Sequence, residues 1–393
     1  MSISKRRWVT KGVEKEAWVV RYTDTAGKRR LKTFAKKRDA DAFHEQTKTD
    51  VRKGLHVADS ATVTVAEAGK LWLASCAAHG LEQSTLEQYR QHLDLHIVPH
   101  IGAVKLSRVM RPTVRAFQDS MREAGASTAM VRKVTVSLGS ILADSQERGL
   151  VAHNAVREIR RGKAQGGRQK RKLQVGVDIP TPAEVGAMLG HARPGKWRSV
   201  LTVAALTGMR ASELRGLRWA DVDLKGRLIH VRQRADRYRA IGLPKSEAGQ
   251  RAIPIGATVV NTLKEWKLAC PKGELVFPNA DGAPLASAKL ASYVLWPPQE
   301  AAGLTIETDK RDAEGQPIRS PKYMGMHALR HFYASWCINR KADGGLELPG
   351  KVVQERLGHS SITMTMDVYG HLFPSGDNGS ELDAAEKALL SAG

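Results

Sequence analysis

Between Arg161 and Asp178 the chain reads RGKAQGGRQKRKLQVGVD, a stretch so rich in Gly, Lys and Arg and so poor in apolar residues that no hydrophobic core can run through it. A chain of 393 residues is already long for one interior, and this interruption requires separate ones. The expected organisation is therefore a unit over 1–57, a second over 62–161, a flexible basic linker over 162–178 and a third unit over 179–393. The linker reads equally well as a plain tether or as a strip that lies along a polyanion while its neighbours close from opposite sides.

Residues 16–34, EAWVVRYTDTAGKRRLKTF, place β-branched and aromatic residues on both sides of a polar turn at Gly27 and read as two strands. A helix ending at Gly54 follows, and the unit is expected as a small three-stranded sheet plus helix. It gathers Lys28, Arg29, Arg30, Lys32, Lys36, Lys37 and Arg38 in a short span. One sheet face bearing these cations would suit phosphates; a solvated charged hairpin is the plain alternative. From Val63 to Arg161 the period becomes helical and four helices are expected, with Ser84, Thr113 and Ser127 as possible caps, Pro112 in a first turn, and Gly102, Gly125 and Gly149 as stops. Beyond Ile179 the pattern mixes helices with a few strands, notably GRLIHVRQ and QRAIPIG. After a flexible PSGDNGSELD stretch, Ser380 is placed to cap a last helix, ELDAAEKALL, which either packs on its own domain or docks on a neighbouring protomer.

Charge narrows the function. There are 62 Lys and Arg against 40 Asp and Glu, a net charge of +22, which favours a polyanionic partner, nucleic acid first. Cys76, Cys270 and Cys337 form no CxxC pair and no disulfide framework, as expected in a reducing compartment. The basic start lacks the apolar run of a signal peptide, and no later stretch has the apolar length to cross a bilayer. A cytoplasmic, nucleoid-associated protein is expected.

Three segments carry chemistry. In TVAALTGMRASELRGLRW an apolar helix breaks at Gly208 and another begins, which places Arg210 at a junction beside buried surface, with Glu213 one turn on to orient its guanidinium. In MHALRHFYASW the helical period puts His327, Arg330 and His331 on one face and Leu329, Phe332, Tyr333 and Trp336 on the other. No acidic or cysteine partner accompanies the two histidines at ligand spacing, so no metal site is expected. In RLGHSSITMTMDVYGHLF, His359 lies upstream and Tyr369 downstream near a helix that contains Thr363, Thr365 and Met366.

Arg210 in TGMRASEL, HALR at 327–330, LGHSS at 357–361 and Tyr369 in DVYGHL occur in the order and approximate spacing of the tyrosine recombinase family of phage-type integrases, which the chain resembles. The resemblance extends to the helical region, similar to a core-binding domain, and to the N-terminal hairpin, similar to an arm-binding domain. It implies a multidomain protein with a mixed, mainly α catalytic domain holding a small β-sheet. It also implies a site-specific recombinase that cuts and rejoins DNA through a 3′-phosphotyrosyl link to Tyr369. Within the resemblance Arg210 and Arg330 hold the phosphate, His327 accepts the phenol proton, and His359 donates a hydrogen bond to a phosphate oxygen. Lys245, in GLPKSEAGQRAIPIG, protonates the leaving 5′ oxygen; Arg239 and Arg251 lie nearby. Glu213 and His331 are supporting residues. No cofactor is implied, and double-stranded attachment sites, a homotetramer on DNA, an excisionase and a DNA-bending host protein are the implied partners. The rival readings are a type IB topoisomerase, a chromosome-dimer resolvase and a noncatalytic DNA-binding regulator.

Overall fold

Alternation along the N-terminal strands decides what each face of the first sheet carries. In the computed structural model, which describes residues 1–10, 13–24, 27–52, 62–159, 171–374 and 379–391, β1 (Ser2–Thr10), β2 (Val13–Thr23) and β3 (Arg29–Phe34) form an antiparallel meander followed by α1 (Lys37–Arg52). The chain divides into two compact units, Met1–Gly167 and Arg168–Gly393. Trp18, Val20 and Tyr22 on β2 pair with Phe34, Lys32 and Arg30 on β3, and this face packs on Ala40 and Phe43 of α1. The three-stranded sheet and helix are as expected. Strand β1, SISKRRWVT, lay outside the two strands read from sequence because three consecutive cations interrupt it; Lys5 and Arg7 are both paired with Glu16 of β2, at 2.9 and 3.3 Å. Thr25 and Ala26 of the expected Gly27 turn lie outside the described residues, as does Gly54 at the expected helix end.

The rest of the first unit is helical. Thr64 caps α2 (Val65–Ala78) in a capping box with Glu67. Helix α3 (Gln83–Gln91) runs through a wider π turn, His92–Ile97, into α4 (Val98–Ile101). Pro99 has no N–H to continue the α ladder, and the Val98 N–H bonds instead to the Leu93 carbonyl five residues back. Helices α5 (Arg111–Glu123), α6 (Thr128–Glu147) and the single turn α7 (Ala155–Glu158) complete a bundle around Trp72, Ile97, Phe117, Leu138 and Ile141. Ser127 caps α6 as expected, whereas Ser84 lies inside α3 and Thr113 is the third residue of α5; the caps at Thr64 and at Asn154, before α7, were missed.

In the second unit, Arg171 and the Gln174 backbone bond to Asp178, and Leu173 packs on the core, so the end of the expected linker is folded. Residues 160–170 lie outside the described residues. Helices α8 (Pro182–His191), α9 (Lys196–Thr207) and α10 (Ala211–Gly216) lead to β4 (Val222–Asp223), β5 (Leu228–Val231), β6 (Arg234–Ala235), β7 (Ile241–Gly242) and β8 (Arg251–Pro254). Strands β4, β5 and β8 form one sheet, with the two strands expected from sequence paired antiparallel, and β6 pairs with β7 in a small hairpin. After α11 (Ala257–Ala269), α12 (Ser287–Lys289) continues through a π turn into α13 (Trp296–Ala301), again at a proline pair. A hairpin of β9 (Thr305–Arg311) and β10 (Pro317–Pro321), not anticipated from sequence, precedes α14 (His327–Ile338), α15 (Gly350–Leu357), α16 (Ile362–Tyr369) and α17 (Gly379–Ser391). The Ser380 side chain lies outside the described residues. Among the described residues no helix is long and apolar enough to cross a membrane.

Candidate active site

Three arginines converge on one helix end. Helix α9 stops at Gly208, whose φ of +61° a residue with a Cβ rarely adopts and whose missing Cβ would lie 2.4 Å from the Tyr333 ring. Two residues later Arg210 opens α10, and its backbone N–H and guanidinium both donate to Glu213, at 2.9 and 2.8 Å. Arg330 on α14 is only 2% exposed, and donates to the carbonyls of Gly208 and Leu357. Arg210 donates to the Gly358 carbonyl at 3.0 Å, and Arg251 of β8 donates to the Arg356 carbonyl at 2.7 Å.

Residues 356, 357 and 358 thus each accept from a different guanidinium. They are the carbonyls left without helical partners where α15 ends in left-handed Gly358, and they form the negative pole of that helix. The neutral carbonyls orient the arginines without cancelling their charge. The carboxylate in contact with them is Glu213, 2% exposed, which takes Arg251 as well as Arg210; burial opposes its charge, and Arg251 followed by Arg210 reverses this and holds its pKa below the usual range. Three guanidiniums against one carboxylate leave a site that favours an anion.

Tyr369, at the end of α16, is 1% exposed, and its phenol O–H is placed to donate to Nδ1 of His331 at 2.7 Å. Burial raises the phenol pKa to about 12 despite the opposing pull of Arg330 and Arg210. Burial first, and then neighbouring cationic and imidazole groups, push His331 and His359 down to about 4 and lower His327. All three imidazoles are therefore neutral near pH 7 and can accept protons. Arg330 is lowered to about 9 by burial and by Arg210, yet stays charged at neutrality. His359 Nδ1 is 2.9 Å from the hydroxyl of buried Thr365, and its ring lies nearly parallel to that of Tyr369, 6.4 Å away.

The structure therefore brings together Arg210, Glu213, His327, Arg330, His331, His359 and Tyr369. The partner of the phenol is His331, read from sequence as supporting, while His327 meets His331 edge-on at 4.7 Å. Of the predicted cationic face of α14, Arg330 is buried against the end of α15, His331 is half-buried and His327 is exposed. Lys245 stands exposed on the loop between β7 and a 3₁₀ turn at Glu247–Gly249, so its side chain is not enclosed with the arginines. Arg251 was missed as a site residue. Its signal was an arginine opening an otherwise apolar strand, at a distance in sequence that gave no hint of Glu213. Among the described residues no group of three or more His, Cys, Asp or Glu could hold a metal ion.

The cations of the first sheet do not form the single row expected. Arg30 points inward to Asp24 at 2.8 Å, Lys32 lies over the Phe43 ring at 4.5 Å and Lys37 over Trp18 at 5.4 Å. Arg29 is on the opposite face, and Lys28 and Lys36 are exposed beside the strand. The register places Arg6, Lys15, Arg21 and Arg29 on that outer face with Trp8, whereas Glu14 and Glu16 are on the inner one.

Residues 181–375 match the phage integrase family, and residues 64–122 match the N-terminal SAM-like domain of phage integrases. The chain belongs to the phage integrase family of tyrosine recombinases. A XerC-like tyrosine recombinase of Caldanaerobacter subterraneus subsp. tengcongensis is 23% identical over 360 residues, covering 86% of each chain. The fold is similar to that of the Tn1549 transposon integrase in complex with transposon right end DNA, with TM-score 0.62 and 18% identity over 83% of this chain and all of the other. It is also similar to a lambda integrase tetramer bound to a Holliday junction, with TM-score 0.55 and 19% identity over 91% and 96% of the two chains. The recombinase is a site-specific DNA strand transferase.

Proposed function

We propose that the recombinase cleaves one DNA strand by attack of Tyr369 on a phosphodiester held by Arg210, Arg330 and His359, leaving a 3′-phosphotyrosyl bond and a free 5′ hydroxyl. The observation that carries this reading is the 2.7 Å bond between the Tyr369 phenol and a neutral His331, beside guanidiniums that have more positive charge than their one carboxylate balances. A phenol with a pKa of about 12 is a poor nucleophile at neutrality until its proton has an acceptor. Nδ1 of His331 takes that proton as the Tyr369 Oη–P bond forms, while the guanidiniums meet the charge that spreads over the nonbridging oxygens. Lys245 gives a proton to the departing O5′. In the second step the 5′ hydroxyl of a partner strand attacks the phosphotyrosine and the phenol leaves, so the bond energy is kept within the protein–DNA link.

The outer face of the N-terminal sheet, with Arg6, Lys15, Arg21 and Arg29 around Trp8, is the proposed contact to accessory DNA sites. The likeness to transposon and phage integrases supports a role in moving an integrative element, by a homotetramer acting in the cytoplasm on double-stranded attachment sites. A nicked suicide substrate carrying the crossover site tests the chemistry. Wild-type protein is expected to trap a covalent adduct, Tyr369→Phe to bind without one, and an adduct formed by Tyr369→Phe would refute the nucleophile.

A further inference from the structure

Lys245 is exposed, yet the root of its loop is tied to the arginine cluster through an unbroken set of contacts. Pro244, the residue before it, packs on Gly249 so closely that a Cβ on Gly249 would lie 2.6 Å from the proline ring. The Gly249 carbonyl accepts from Arg251 Nη1 at 3.0 Å. The same guanidinium donates to both oxygens of Glu213, at 3.2 and 2.9 Å, and through Nε to the Arg356 carbonyl. Glu213 in turn holds Arg210. The Ala248 carbonyl closes the other side, 2.8 Å from where a Cβ on Gly358 would stand, one residue before His359.

With four of the five N–H of its fork directed at fixed acceptors and its side chain only 6% exposed, Arg251 is committed to the protein frame rather than to substrate. Its bonds join three chain segments that meet only in the fold: the loop bearing Lys245, the helix start bearing Arg210 and the turn bearing His359. We infer that Arg251 is a positioning residue that fixes the root of the Lys245 loop against Glu213, so that the proton donor to O5′ is set in register with the arginines that hold the phosphate. This rests on the reading of Lys245 as that donor. When the P–O5′ bond breaks, the electron pair stays on O5′ and Lys245 Nζ supplies the proton; a loop whose root drifts delivers that proton late.

The test exploits the leaving group. A substrate with sulfur in place of the bridging O5′ departs as a thiolate and needs no proton, so a defect in proton delivery disappears on it while a defect in phosphate binding remains. Single-turnover cleavage of both substrates is measured with the full-length wild type, Lys245→Ala, Arg251→Gln and Gly249→Ala. Gly249→Ala displaces Pro244 while leaving the Arg251–Glu213 bonds in place, and it decides the matter should Arg251→Gln fail to fold by circular dichroism. Loss of a general acid slows cleavage ~10²–10⁴-fold, and the expected result is a loss of about 10-fold or more for both variants on the phosphodiester, recovered to within about threefold of wild type on the thiolate. Equal slowing on both substrates, with Lys245→Ala rescued, overturns the inference and leaves Arg251 acting through Arg210 alone. If Lys245→Ala is not rescued, the Lys245 reading fails; the coupling of Arg251 to the leaving group then stands only if its own variants recover, and falls if they do not.

Discussion

Glu213→Gln keeps the shape of the carboxylate and removes the negative charge that serves two guanidiniums. Oε1 accepts from Arg210 Nη1 and Arg251 Nη1, and Oε2 accepts from the Arg210 backbone and Arg251 Nη2. Whichever oxygen becomes the amide nitrogen, two donors then face a donor, so two of the four bonds are lost. Charge-assisted bonds contribute ~1.5–3 kcal/mol each, and breaking a buried ion pair from one side costs ~3–5 kcal/mol, so a loss of about 4 kcal/mol is expected. Because two units need not unfold together, the assay is hydrogen exchange of peptides spanning 199–217 and 326–338 rather than a single melting curve. Those peptides should lose protection in Glu213→Gln while peptides from α6 do not. A bound DNA phosphate satisfies some of the released guanidinium charge, so the deficit should shrink in the complex. A loss below about 1 kcal/mol in the free protein, against that expected for a buried pair, would mean that the helix-end carbonyls alone hold the arginines.

Three further outcomes follow from the geometry. His331→Asn should reduce cleavage ~10²–10⁴-fold at unchanged DNA affinity and exceed the effect of His327→Asn, with the reverse order restoring His327 as the acceptor. His331 and His359 have folded pKa values of about 4 against an ordinary value near 6.5. Between those limits the unfolded chain binds protons that the folded one does not, so stability in the second unit falls as pH drops through 6.5 toward 4; exchange protection that is flat over that window would contradict the assignment. Replacing Arg21 and Arg29 by Gln should lower the slope of log affinity against log salt by about 1–2 on accessory-site DNA, and an unchanged slope would remove the outer sheet face from the interface.

Much of the candidate site was legible because its members sit in short patterns that local physics already distinguishes: Arg210 at a glycine break, two histidines and Arg330 within five residues, Tyr369 downstream near a short helix. The strand pair around the Lys245 loop and the N-terminal sheet were legible too, from alternation and turn residues. What sequence misjudged were matters of contact. His327 and His331 share a helix face, and only the packing of α16 decides which of them meets the phenol. Lys32 and Arg30 are cations like Arg29, and only the parity of β3 turns them inward onto aromatic rings and Asp24.

The sequence by itself determined that separate cores exist, that the chain favours a polyanion, and which side chains are candidates to act on a phosphodiester. It could not determine that three arginines, far apart along the chain, would each take one of three consecutive carbonyls, because that needs the end of α15 to reach α10, α14 and β8 at once. Hydrophobic pattern and propensity act within an element or between neighbours. The geometry of the candidate site depends on hydrogen bonds that span 27 to 148 residues, and those exist only after the core has closed.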